Sequence, residues 1–108
     1  MRPIKLFGVE KLVGITYFSR DFLQKMINRM AFGHFKYGPL ALAFPKEIDA
    51  IQTLRKGLKT YKDTGNTEYL VDVANYAMIE FMFPSHPKAH FRATSEKESA
   101  GYTRRKKK

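Results

Sequence analysis

A chain of 108 residues, 44% of them apolar, is the size of one ordinary domain and too short for a two-domain enzyme. It has no cysteine, which excludes a disulfide framework or a thiolate metal site, and its longest apolar runs, such as "PLALAF" at 39–44, fall far below the roughly 20 residues a membrane-spanning helix needs. The formal charge of +10 is unevenly placed: residues 1–84 carry 12 Lys and Arg against 8 Asp and Glu, and residues 85–108 carry 8 against 2.

Residues 1–18 mix glycine with β-branched and aromatic side chains and read as an extended arm or short strands. Glu10 and Lys11 interrupt any signal-like apolar stretch there, so a soluble, cytoplasmic protein is expected. Ser19 can cap a helix over 20–32, in which Phe22, Leu23, Met26, Ile27, Met30 and Ala31 repeat at helical spacing and Gly33 is placed to end it. Arg20, Lys25 and Arg29 fall outside that stripe. From Pro45, a suitable first helical residue, the spacing predicts a second helix over 46–61, with Ile48, Ile51, Leu54, Leu58 and Tyr61 on one side. Its other side is basic, with Arg55, Lys56, Lys59 and Lys62, and Gly57 weakens it by about 1 kcal/mol relative to alanine.

The turn "DTGN" at 63–66 is short enough to send the next helix back antiparallel. Asn66 or Thr67 caps that helix, Glu68 suits the positive end of its dipole, and Pro84 and Pro87 stop it, which bounds it to 67–83. Leu70, Val71, Val73, Ala74, Ala77, Met78, Phe81 and Met82 form a face too wide for a surface helix, so most of it is expected to be buried, Ala77 included. The predicted fold is all-α: a three-helix bundle in a helical domain of residues 19–92, with a helical hairpin over about 46–83. The segment "ATSEKESAGYTRRKKK" from Ala93 has few large apolar side chains to offset its ordering entropy and is expected to be a flexible basic tail over 93–108.

The polar residues of the third helix stand out against its apolar background. Glu68, Asp72 and Asn75 follow one another along one side, where two carboxylates four residues apart need a cation between them, either a metal or a basic side chain. The preferred reading is structural, with Asp72 meeting a basic side chain of a neighbouring helix and Asn75 bonding to a loop. A catalytic reading would gather Glu47, Asp49, Glu68 and Asp72 around Mg²⁺. "HFKYG" at 34–38 and "HFR" at 90–92 interleave aromatic and basic residues, as single-stranded nucleic-acid sites do, which makes Phe35, Tyr37 and Phe91 candidate stacking rings. Their position favours packing, with Phe35 and Tyr37 plugging the end of the bundle and Phe91 folding back over it. His86 and His90 are four apart, but the prolines at 84 and 87 argue against the regular helix that would bring both rings onto one metal. The chain has no GxxxxGK[ST], GxGxxG or HExxH, no cysteine nucleophile, and no serine in a nucleophile elbow.

The run "YKDTGNTEYLVDVANYAMIEFMFPSHPKAHF" from Tyr61 to Phe91, together with Met26 to Gly38, resembles a group of short proteins encoded by tailed bacteriophages, over about residues 16–92. That resemblance implies a small accessory protein at work in the cytoplasm of an infected bacterium. "DVANYAM" is also similar to a segment of the all-α nucleoside triphosphate pyrophosphatases of the MazG type, whose metal site takes an ExxE and an ExxD pair. Here Ala50 stands three after Glu47, and Tyr69 stands three before Asp72, so half of that ligand set is absent. The leading expectation is a protein that acts by binding, without a cofactor, to nucleic acid or to a host nucleoprotein complex, as an inhibitor of it in one version. Its contacts would be Arg55, Lys56, Lys59, Lys62 and the terminal Arg104, Arg105, Lys106, Lys107 and Lys108. The alternatives are a Mg²⁺-dependent pyrophosphohydrolase and a structural protein whose apolar last helix is covered by a second copy in a homo-oligomer.

Overall fold

The computed structural model describes residues 18–106, and among them the fold is an all-α three-helix bundle with no strand. Helix α1 spans Arg20–Tyr37, α2 spans Ala50–Thr64 and α3 spans Glu68–Met82, with a single 3₁₀ turn at Leu40–Leu42 between the first two. The expected arm lies outside the described residues, except for Phe18.

Each helix begins where a side chain can take up its free N–H groups. Ser19 Oγ accepts from Phe22 N at 3.0 Å, Asp49 Oδ1 accepts from Gln52 N at 3.0 Å, and Asn66 Oδ1 accepts from Glu68 N at 3.0 Å. The second of these revises the expected start at Pro45. Residues 43–48 are taken up by turns, in which Glu47 N and Ile48 N both donate to the Ala43 carbonyl, and the helix opens only after Asp49. The expected end of α1 at Gly33 is revised too. The helix runs through Gly33 to Tyr37, because one internal glycine costs only about 1 kcal/mol, whereas Pro39 disfavours helical backbone at the residue before it.

Helix α3 is the centre of the bundle, and α2 lies antiparallel to it as the expected hairpin. Gly65, at a φ of +75°, closes α2 in the left-handed region and donates its N–H to the Tyr61 carbonyl at 2.7 Å. Gly57 is where the two helices press together. A Cβ built on it would stand 2.8 Å from Val73 Cγ2, so the glycine read in the sequence as a weak point allows α2 and α3 to approach. At the far end, the Glu80 carboxylate accepts from both the backbone N–H and the hydroxyl of Ser85, which fastens the chain as it leaves α3.

Phe44, Ala50 and Ile79 are buried together, with Met30, Leu40, Ala43, Tyr76 and Phe83 packed on them. Phe44, from the "PLALAF" run, is therefore the residue that plugs the bundle. Phe35 and Tyr37 do not take that place: they sit on the last turn of α1, 88% and 77% exposed. The wide apolar face of α3 is also only partly covered. Val71, Asn75 and Ile79 are buried on one side, while Ala77 and Phe81 are exposed on the other, against the expectation for Ala77, and Met82 is exposed at the helix end. Helix α1 divides its stripe in the same way, with Phe22, Met26 and Met30 half-buried and Leu23, Ile27 and Ala31 exposed. Helix α1 packs on α3 and hardly on α2, so its stripe is covered from one direction only, while α3, packed by both α1 and α2, is left open on the side that carries Ala77 and Phe81.

Candidate nucleic-acid interface

Arg55, Lys56, Lys59 and Lys62 are all exposed on α2, on the side away from the half-buried Leu54, Gly57 and Tyr61. Among the described residues, Lys59 Nζ pairs with Asp63 Oδ2 at 2.8 Å, one turn on. Exposed pairs at this spacing contribute only about 0.3–0.5 kcal/mol, so the lysine can exchange its carboxylate for a stronger anion. Four cations within eight residues give the outer side of α2 a strong positive field next to a helix surface that phosphates can reach.

The chain beyond α3 adds to this charge. Arg104, Arg105 and Lys106 are exposed, while Lys107 and Lys108 lie outside the described residues. The basic segment is not featureless from Ala93 onward. Ser95–Ser99 form a turn that an Arg92–Glu98 ion pair clasps, and that pair raises the Arg92 pKa and holds the Glu98 carboxyl below the usual carboxylate range. The three candidate stacking rings stand at the surface. Tyr37 and Phe32 share the Lys36 ammonium, which lies 5.1 and 5.8 Å from their ring centres. Phe35 meets His34 edge to face, and Phe91, 83% exposed, meets Phe81 edge to face at 6.4 Å.

The acidic residues are placed differently. Asp49 caps α2, and Asp72 accepts from Arg29 Nε at 3.1 Å and from Arg29 Nη2 at 3.3 Å, while Glu68 meets Arg29 Nη1 at 3.3 Å. The Asp72 hydrogen bond leads the causes that raise the Arg29 pKa. The cation between the two carboxylates of the stripe is thus a side chain of the neighbouring helix. Among the described residues, no group of three or more His, Cys, Asp or Glu is placed to hold a metal ion. His86 Nδ1 accepts from the Lys88 N–H and His90 Nδ1 faces the Lys88 carbonyl, each at 2.9 Å.

Asn75 bonds to helix α1 and not to a loop: its Nδ2 donates to the Met26 carbonyl at 3.1 Å. It lines a cavity of about 580 Å³ between the second half of α1, the 38–48 segment and α3. Tyr76 shares that wall, and burial, followed by the Asp72 charge, pushes its hydroxyl pKa up. A second hollow of about 640 Å³ separates the starts of α1 and α3, with Lys25 and Arg29 on its rim. The sequence singled out the basic and acidic residues but missed Arg29, Phe44 and Lys36. Arg29 and Phe44 are defined by partners distant in the chain, whereas Lys36 stood inside the "HFKYG" motif. No protein-family model, curated protein or solved structure matches this chain.

Proposed function

We propose that this chain is a small basic accessory protein, of the kind made by tailed bacteriophages, that works by binding nucleic acid through its phosphates. The observation that carries this reading is the outer side of α2, where Arg55, Lys56, Lys59 and Lys62 are exposed with one acidic partner, Asp63, among the described residues. The cations near the C-terminus extend that field. Such a surface binds polyanions by releasing their counterions, which gives affinity without sequence preference. A nucleoprotein complex of the host offers the same phosphates, and occupying them would inhibit it.

The test is fluorescence anisotropy with a labelled oligonucleotide. Replacing Arg55, Lys56, Lys59 and Lys62 by Ser should weaken binding and leave the melting temperature unchanged, while deleting Arg104 to Lys108 should weaken it further and independently. Unchanged affinity in both variants would remove the role from these residues and point to solubility or an acidic protein partner as the reason for the charge.

A further inference from the structure

At 3.6 residues per turn the apolar side chains of α1 form two neighbouring rows, each with a residue every fourth position. Phe22, Met26 and Met30 make the half-buried row, on the helix that packs against α3. Leu23, Ile27, Ala31 and Phe35 make the second row, and all four are exposed, Ile27 at 49%. None of them lines either of the two cavities described above, so the row is a ridge that stands out from the bundle and not the wall of a groove. On its solvent side run Arg20, Gln24 and Asn28, where Gln24 Nε2 donates to Asn28 Oδ1 at 2.9 Å. The fold has reason to cover such a ridge. Among the described residues, the buried apolar ones are Phe44, Ala50, Val71 and Ile79, a small core to set against the entropy of ordering three helices.

We infer that this ridge pairs with the same ridge of a second copy, the two α1 helices crossing antiparallel about a two-fold axis that passes between Ile27 and Ala31. Rows of residues four apart on two helices interdigitate in the commonest class of helix packing, and a two-fold axis sets one patch against itself. The ridge is complementary to itself in that arrangement. Ile27 comes level with the partner's Ala31, whose small side chain lets the helices close, and Leu23 comes level with the partner's Phe35. Charge selects the antiparallel sense. Arg20 then lies beside the last turn of the partner's α1, where free carbonyls form the negative end of the helix dipole, whereas a parallel pairing would set Arg20 against Arg20. With Arg20, Gln24 and Asn28 as a polar rim, the contact buries on the order of 1,000 Å² in total, enough for a specific interface. It uses no residue of α2 or of the C-terminal segment, so it stands or falls independently of the phosphate reading.

Sedimentation equilibrium of the full chain tests the pairing first, and should show a dimer that dissociates on dilution. Ile27→Asp should weaken that dimer by about 100-fold or more, because it encloses an unpaired charge, and should keep the helical circular dichroism, because Ile27 is half exposed in a single copy. Cross-linking then tests the register. The chain has no cysteine, so one that is introduced reports on its own position alone. A chain carrying Ile27→Cys and a chain carrying Ala31→Cys should form a mixed disulfide on mild oxidation. Neither should link to itself, since like positions lie about 6 Å out of step along the axis, beyond the gap between the helices and out of disulfide reach. A monomer at every concentration would overturn the pairing, as would a dimer that survives Ile27→Asp, which would place the second copy elsewhere. Self-linking of the Ile27→Cys chain without the mixed product would show a parallel arrangement and refute the antiparallel one. Unfolding of a monomer by Ile27→Asp would give the ridge to another part of the same chain, and would overturn the pairing too.

Discussion

Gly57→Ala sets two effects of known size against each other at one position. In an exposed helix interior the change gains about 1 kcal/mol, because alanine loses less backbone entropy than glycine. Here the added methyl would stand 2.8 Å from Val73 Cγ2, well inside van der Waals contact. Val73 is β-branched and helical, so its χ1 has one favoured setting and the methyl cannot swing aside. Overpacking of this kind costs about 1–3 kcal/mol, so the net effect should be a loss of about 1 kcal/mol, or about 4–8 °C in melting temperature for a domain of this size. Thermal denaturation followed by circular dichroism reads it directly. The double variant Gly57→Ala/Val73→Ala should recover much of the coupling, since the smaller partner removes the collision. A rise in melting temperature for Gly57→Ala alone would refute the close approach of α2 and α3 and return Gly57 to the role that helix propensity assigns it.

Ile79→Ala should destabilise by about 2–5 kcal/mol, as expected for a side chain 3% exposed, whereas Ala77→Asp, on the uncovered side of the same helix, should cost about 0.7 kcal/mol from propensity alone. If Ala77→Asp unfolds the protein or dissociates a dimer in sedimentation, a second copy covers α3. Arg29→Met should cost less than about 1 kcal/mol by chemical denaturation, because the arginine side chain is 45% exposed to solvent. Tyr76 holds its proton more tightly folded than unfolded, so its contribution is complete below the ordinary tyrosine value near 10 and is lost as the pH rises from there to the raised folded value. Tyr76→Phe should flatten that alkaline decline, and an identical decline in both proteins would contradict the burial assigned to the hydroxyl.

Caps and turns were the legible part of this fold, because they act over a few residues. Ser19, the Gly65–Asn66 pair and Pro84 mark boundaries that the helices observe. The boundary that failed at Gly33 had its signal five residues on, where Gly38 is followed by Pro39. The start misassigned to Pro45 had its signal in Asp49, a strong N-cap residue. Burial was less legible. A periodic apolar stripe says that a face could be covered and leaves open from how many directions, so Ala77 and Leu23 are exposed while Phe44, which belongs to no periodic pattern, is buried. The basic side of α2 could be read from spacing alone. The spacing of Glu68 and Asp72 called for a basic partner on a neighbouring helix, but that it is Arg29, 43 residues away, and that Asn75 reaches Met26 across 49, leave no mark in local sequence.

The salt dependence of oligonucleotide affinity tests the central claim most directly. With four cations on α2 and further basic residues near the C-terminus, the logarithm of affinity should fall linearly with the logarithm of salt concentration. The α2 cluster alone, neutralising up to about four phosphates, gives a slope of roughly −3 to −4. The four-serine variant should lose that share of the slope. Affinity absent at the lowest salt, or present with no dependence on salt, would contradict the account.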